Sequence, residues 1–159
     1  MKAIVQATCL AWLSVPALAL DLPERPIDFD RLRTEFDPIS VIVEGNATCV
    51  LIDALVADSR EKQRRGLMWV RSMPLDAGMI FDNSPPRSVS MWMKNTLIPL
   101  DILFIDRKGR VINIERDNEP LSLTGISSDA PARYTLELNG GRAQALGLKR
   151  GSMVWVESL

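Results

Sequence analysis

Histidine is absent from this chain of 159 residues. Without it, Ser-His-Asp and Cys-His nucleophile systems, histidine-based zinc sites and the usual proton shuttle at neutral pH are excluded. The sequence also lacks a phosphate-binding glycine loop, a zinc-type cysteine pair and a calcium-loop pattern. An enzyme built on this chain would therefore use carboxylates, lysine, serine or threonine hydroxyls, or the one tyrosine, Tyr134.

Cysteine is scarce, with one residue near the N-terminus, Cys9, and one further along, Cys49. If Cys9 leaves with a targeting segment, Cys49 is the one cysteine of the mature chain and no internal disulfide can form. Cys49 lies in the apolar strand pattern TCVLI. We interpret it as a buried small hydrophobe, with a reactive or metal-binding thiol as the alternative.

An excess of charge of either sign is also missing, because 19 Lys and Arg residues face 20 Asp and Glu residues. This near-neutral balance predicts neither nucleic acid nor an anionic membrane surface as a partner. Apolar residues make up 47% of the chain and charged residues 25%, which are ordinary values for a globular protein. The length predicts a single domain with a real hydrophobic core.

The N-terminus has the pattern of a signal peptide. Lys2 precedes an apolar run over residues 3–15, and Ala17-Leu18-Ala19 matches the small-residue pattern that signal peptidase cleaves. We expect cleavage after Ala19 and a periplasmic or secreted mature protein. The alternative is an uncleaved membrane anchor, although the run is shorter than the roughly 20 residues of a spanning helix.

The rest of the chain divides into a leader and one domain. Residues 20–37, rich in proline and charge, predict an extended leader, and residues 38–159 predict the domain. The first predicted elements are a hairpin and a short helix, which Asp58 caps in a near capping-box pattern with Glu61 and which ends at Gly66. Residues 82–87 are predicted to interrupt regular structure. The predicted strands cover residues 39–43, 48–57, 88–93, 102–105, 110–115, 133–138 and 153–156, and a second short helix covers residues 142–146. This order predicts an α+β fold, a mostly antiparallel, small barrel-like sheet with two short helices.

The most unusual segment is residues 91–106, MWMKNTLIPLDILFID, where polar groups interrupt an apolar, strand-like run. Buried polar groups must satisfy one another or face a ligand. A turn after Asn95 would return Asp101 towards Lys94. The pair could then bind a small polar or anionic ligand, act as acid and base, or form a purely structural network with Thr96.

Several segments resemble a known family. VADSREKQRRGLMWV at residues 56–70, GMIF at 78–81, the segment 91–106, ARYTLEL at 132–138 and LGLKRGSMVWV at 146–156 occur in the order found in the domain of unknown function 192 family. The resemblance implies a small, mostly β, single-domain fold whose members often carry export signals. It implies no reaction, substrate or cofactor, and therefore no catalytic residues.

Arginines near the unusual segment offer a further binding group. A helix after Asp58 could place Arg64 over the site, where a guanidinium can hold a carboxylate or phosphate with two hydrogen bonds. Arg65 and Arg87 are weaker candidates, and a solvated helix face is the alternative. We predict a ligand site whose members are polar or aromatic and close to the segment 91–106: Trp92, Lys94, Asn95, Thr96, Asp101, Asp58 and Arg64.

The sequence therefore predicts an exported binding or accessory module of the cell envelope, without a cofactor or a metal. One alternative is a hydrolase-like enzyme on envelope saccharide or peptide, with Asp58 and Asp101 as its carboxylates. The other is a Cu(I) carrier that uses its methionine thioethers, alone or with Cys49. Methionine also fills irregular cores, which is the competing interpretation.

Overall fold

The computed structural model describes residues 26–46 and 48–157. The expected signal peptide, residues 1–19, lies outside the described residues. The described chain forms nine strands, two α-helices and one 3-10 helix, Phe29–Thr34. In chain order these are β1 (Asp37–Glu44), β2 (Cys49–Ala57), α1 (Arg60–Arg65), β3 (Ala77–Arg87), β4 (Ser90–Met91), β5 (Leu100–Ile105), β6 (Val111–Asn118), β7 (Ile126–Ser127), β8 (Ala132–Asn139), α2 (Arg142–Ala145) and β9 (Val154–Val156).

Seven strands form one curled sheet in the order β6-β5-β8-β3-β2-β1-β9. Every neighbouring pair is antiparallel except β2 and β3, which run parallel because α1 crosses between them. The two edges approach each other at one end, where Arg110 bridges to Met153 and the Val111 N–H donates to the Ser152 carbonyl at 2.9 Å. The predicted mostly antiparallel, barrel-like α+β fold is confirmed.

The sheet separates two hydrophobic clusters, because alternate side chains of each strand point to opposite faces. The first cluster includes Ile102 and Phe104 of β5. The second includes Leu103 and Ile105 of the same strand and the buried side of α2. The strand β5 is buried along its whole length, so a polar residue in it must find a partner on one face or the other.

The leader differs from its prediction. Over the described residues 26–36 the chain is not extended: it folds into the 3-10 helix and adds Phe29, Leu32 and Phe36 to the first cluster. Ile27 also bridges to Val70. Apolar residues spaced three or four apart were enough to bury this segment, despite its prolines and charges.

Cys49 is exposed, so the prediction of a buried cysteine is wrong. It begins β2 opposite Glu44, directly after the hairpin turn. Side chains alternate along β2, with Leu51 exposed at 58% and Ile52 fully buried. Cys49 has the same parity as Leu51 and therefore points outward with it.

The segment 82–87 was predicted to break the chain but continues β3 instead. Asp82 pairs with Tyr134 and Arg87 pairs with Ala132, so the register shifts between them and the intervening residues bulge. The two prolines lie in that bulge, where the ladder needs no N–H donor. The bulge allows β3 to extend past the prolines.

The first helix forms as predicted, with a different N-terminal cap. The Ser59 side chain, not Asp58, accepts the Lys62 backbone N–H. The helix ends at Gly66, whose φ of 45° places it in the left-handed region that favours glycine. Neither α-helix of the described residues is long and apolar enough to cross a membrane.

Candidate functional site

An open cleft of about 390 Å³ lies between α1, the far end of β3 and the segment around β4. Its base is the face of the sheet that carries the first hydrophobic cluster, where Phe81 lies. The residues that line it come from four parts of the chain: Gln63, Arg64, Arg65, Gly66, Leu67, Met68, Phe81, Asn83, Arg87, Val89, Ser90, Met91, Trp92, Lys94, Thr96 and Glu137. Nine of these sixteen residues are polar or charged and six are apolar, so the cleft is more polar than the usual small-molecule site, whose walls are mostly apolar.

Two loops that form the walls of the cleft are joined by a backbone hydrogen bond. The Trp69 N–H, in the loop after α1, donates to the Asn95 carbonyl at 2.8 Å. The Asn95 side chain also contacts the Met68 sulfur at 3.7 Å. Asn95 itself has a φ of 57°, a left-handed conformation that asparagine tolerates better than most residues. The two walls are therefore held in one relative position.

The mouth of the cleft is cationic. Arg64, Arg87 and Lys94 line it and are exposed. Within residues 26–46 and 48–157, no carboxylate forms an ion pair with any of these three side chains. The Lys94 ammonium lies 5.3 Å from the centre of the Trp92 ring, and Trp92 is 50% exposed. Unneutralised guanidinium and ammonium groups around one hollow attract an anion.

The base of the cleft holds a buried acid, Glu137 on β8, which is only 4% exposed. Its neighbours across the sheet are Met79 on β3 and Ile102 on β5, both fully buried. In the described chain no hydrogen bond or ion pair reaches the Glu137 carboxyl. Burial among apolar side chains raises the pKa of Glu137 to about 8. The group is therefore largely protonated at neutral pH.

Two more buried polar side chains continue from Glu137 along the same face. The Asn83 side-chain amide donates to the Thr135 hydroxyl at 3.0 Å. Both residues are buried, and Asn83 lines the cleft. Thr135 is two positions before Glu137 on β8, so both side chains lie on one face of the sheet. The base of the cleft thus has a polar strip set into an apolar surface.

Asp101 lies elsewhere. It alternates with Ile102 on β5, so its side chain is on the opposite face of the sheet from Glu137. It is fully buried, and its oxygens accept the backbone N–H groups of Asp117 at 2.8 Å, Gly141 at 3.1 Å and Ala143 at 2.6 Å. The expected meeting of Lys94 and Asp101 does not occur, because the turn after Asn95 places them on different sides.

Asp58 is also outside the cleft. It is exposed and forms an ion pair with Lys62 at 3.2 Å, one turn further along the chain. Thr96 is buried, lines the cleft and makes a weak 3.5 Å contact to the Lys94 carbonyl. Of the residues that the sequence predicted for the site, the structure thus brings Arg64, Trp92, Lys94 and Thr96 together. Asn95 supports the wall, and Asp58 and Asp101 are elsewhere.

Comparisons with known proteins agree with this fold. The model of the family described as DUF192, an uncharacterised ACR, matches residues 41–156. The chain belongs to the DUF192 family. This confirms the resemblance found in the sequence, and the family carries no assigned activity. No curated protein matches the chain.

Two solved structures are similar to this DUF192 chain. One, from Sinorhizobium meliloti 1021, is named a "putative transcription regulator"; it has 34% identity and a TM-score of 0.74, over 76% of this chain and 95% of the other. The second, a protein of unknown function from Novosphingobium aromaticivorans DSM 12444, has 36% identity and a TM-score of 0.72. That match covers 74% of this chain and 84% of the other.

Half of the six methionines in the described residues lie in the interior of the DUF192 domain, and Met68, Met91 and Met153 are half-buried. Met73, Met79 and Met93 are buried in the first cluster, and Met91 packs against it. This agrees with the interpretation of methionine as core filler. Hydrocarbon side chains of the cluster enclose the buried thioethers. Their placement therefore does not support the Cu(I) alternative.

Sequence reasoning missed Glu137, Asn83 and Thr135. The alternation in RYTLEL does place Thr135 and Glu137 on one face of a strand. Alternation alone does not say whether that face meets water or the inside of a curled sheet. The sheet order of the structure decides this, because β8 lies between β5 and β3 and is therefore central.

Proposed function

We propose that the protein is an exported binding module of the cell envelope whose cleft takes a small anionic ligand. One observation carries the proposal: Arg64, Arg87 and Lys94 surround the same hollow without a carboxylate partner in the described chain. A carboxylate or phosphate of a ligand would supply the missing negative charge. The export half of the proposal is supported by the signal-peptide pattern of residues 1–19.

The shape and chemistry of the cleft favour a small molecule. Its volume of about 390 Å³ is in the range of small-ligand pockets. Trp92 and Met91 offer an aromatic and a thioether surface beside the cations, against which the hydrocarbon part of a ligand can pack. The three cations come from α1, β3 and the segment after β4, so one anion could be contacted from several directions.

The hydrolase alternative gains no support from the geometry. Glycoside hydrolysis with two carboxylates requires both of them in one cleft. Asp58 is ion-paired on the surface, and Asp101 caps backbone groups on the other face of the sheet. Among the described residues that line the cleft, Glu137 is the only carboxylate.

Titration with inorganic phosphate and with short carboxylates, followed by thermal melting and calorimetry, tests the proposal. We expect saturable stabilisation, since a ligand that binds the folded state raises its melting temperature by mass action. Arg64→Gln should weaken binding by about 10- to 100-fold, the usual effect of losing a charge-assisted hydrogen bond. Its matched control is Arg60→Gln, which removes an exposed arginine of the same helix that does not line the cleft.

Two results would count against an anion site. One is the absence of saturable binding for every anion tested. The other is an equal loss of affinity in the Arg64 and Arg60 variants, because that pattern indicates general attraction to a positive surface rather than a defined site.

A further inference from the structure

We propose that the ligand of the cleft also carries a basic amine, and that Glu137 binds this amine as a carboxylate while the cations at the mouth bind the anionic group. The inference rests on the proposed function and names the ligand class: a small zwitterion, such as an amino acid or a related amino carboxylate. The inference follows from the placement of the charged groups in the cleft, with exposed cations at its mouth and a buried carboxyl, Glu137, at its base.

Glu137 is an unusual residue for the centre of a sheet. Acidic side chains are almost never fully buried without a partner. Here the acid has apolar neighbours on both adjoining strands, Met79 and Ile102, and no partner within the described chain. An apolar residue at the same position would extend the first cluster without a desolvation penalty. A buried, unpaired carboxyl group that faces a cavity can obtain its missing partner from a bound ligand.

The arrangement of charges indicates what that partner is. The cations that line the cleft are Arg64 and Arg65 on α1, Arg87 at the end of β3, and Lys94 after β4. Within the described residues, Arg64, Arg87 and Lys94 form no ion pair with Glu137. Arg65 is engaged by Glu35 and by the Met68 carbonyl. A purely anionic ligand could accept a hydrogen bond from the protonated carboxyl, but it would oppose the ionisation of Glu137 and leave the carboxylate form without a partner. A ligand with a negative group at one end and an ammonium at the other satisfies both ends of the cleft.

The walls between the two ends suit such a molecule. Phe81 lines the cleft and adds an aromatic surface to its base, against which the hydrocarbon part of a ligand can pack. Asn83 also lines the cleft, and its side-chain carbonyl is the natural acceptor for an ammonium N–H, because its amide already donates to Thr135. The Glu137 carboxylate and the Asn83 side-chain carbonyl together offer oxygen acceptors for a cation.

Binding of the amine would move one proton without forming a covalent bond. In the free protein at neutral pH the Glu137 carboxyl carries its proton, because burial raises its pKa to about 8. When an ammonium group arrives, the carboxyl loses that proton to the solvent buffer and the ammonium keeps its own. Glu137 is the one carboxyl among the described residues that line the cleft, so the released proton is assigned to it.

The test compares ω-amino carboxylates with alkanoates of the same chain length, over a series of lengths, by calorimetry of the purified protein. We expect at least about tenfold tighter binding of the best amino carboxylate than of its matched alkanoate. Titration at about pH 7 in two buffers of different ionisation enthalpy should show release of close to one proton per amino carboxylate bound. Alkanoate binding should release none.

A variant assigns the effect to Glu137. Glu137→Gln keeps the size of the side chain and mimics its neutral form. It should abolish both the preference for the amino carboxylate and the proton release, while alkanoate affinity remains. Glu44→Gln, which changes an exposed strand glutamate, is the matched control and should behave as the unmodified protein does.

The possible failures are distinguishable. Equal binding of amino carboxylates and alkanoates without proton release overturns the zwitterion inference and leaves the anion-binding proposal intact. Absence of binding for both series overturns both. If the glutamine variant does not fold, the proton count of the unmodified protein still decides the question.

Discussion

The Trp69 N–H donates to the Asn95 carbonyl at 2.8 Å and ties the loop after α1 to the segment after β4. Both residues have positive φ angles, 67° for Trp69 and 57° for Asn95. Two left-handed residues that meet across a single hydrogen bond represent local strain, which the surrounding packing must compensate. Strain of this kind is found preferentially where a protein holds binding groups in place, and here it lies beside the cationic mouth of the cleft.

Replacement of Asn95 tests the backbone part of that strain. Asn95→Ala and Asn95→Gly both remove the contact to the Met68 sulfur, so the difference between them isolates the cost of the left-handed conformation. We expect the alanine variant to be less stable than the glycine variant by about 1 kcal/mol. Urea denaturation measures this difference. Equal stability, or a more stable alanine variant, would mean that the loop has relaxed out of the left-handed conformation.

Asp101 is predicted to be a structural residue. It accepts three backbone N–H groups, from the end of β6 and the start of α2, and Asp101→Asn places an amide donor where one acceptor was. We expect a loss of about 2–4 kcal/mol in unfolding free energy, since buried donors are left without an acceptor. Asp58→Asn, at an exposed ion pair, should cost less than about 1 kcal/mol.

The affinity of the cleft separates this role from a binding role. At a temperature where the Asp101→Asn variant is still folded, its affinity for an anion should equal that of the unmodified protein, because Asp101 lies on the other face of the sheet. A selective loss of binding in a variant of normal stability would assign Asp101 to the site instead.

The sequence was sufficient for most of the fold because the strong signals were local. The hairpin between β1 and β2 has turn residues between two apolar runs, and the end of α1 has Gly66. The segment 82–87 failed as a prediction because prolines are excluded from a regular ladder, whereas a bulge accommodates them. Whether a bulge forms depends on the partner strand, which is far away in sequence.

The candidate site was only partly predictable for the same reason. Arg64, Trp92, Lys94 and Thr96 were found from the polar and aromatic residues near one unusual segment. Glu137 lies on a strand roughly forty residues further along the chain, far enough to belong to a separate supersecondary unit. Only the strand order of the sheet brings it to the base of the cleft. The predicted position of Asp101 was wrong because side chains alternate along a strand, so a shift of one residue moves a side chain to the opposite face of the sheet.

We expect the ionisation of Glu137 to make the free energy of unfolding depend on pH. Burial raises the pKa of Glu137 from the ordinary glutamate value of 4.5 to about 8, so between these values the folded protein holds a proton that the unfolded chain releases. Stability therefore falls as the pH rises through this window and levels off above it. The shift corresponds to a loss on the order of 4 kcal/mol between the two ends of the window.

Glu137→Gln should remove this fall, since glutamine cannot ionise and resembles the protonated acid in size. Urea denaturation between about pH 5 and pH 8.5 should give a flatter stability profile for this variant, and a more stable protein than the unmodified one at the alkaline end. Glu44→Gln, at an exposed position of β1, should retain the slope of the unmodified protein. Parallel profiles for the Glu137 variant and the unmodified protein would mean that the carboxyl ionises freely in the folded state. Glu137 would then be in contact with water or with a cation, rather than held neutral beneath the cleft.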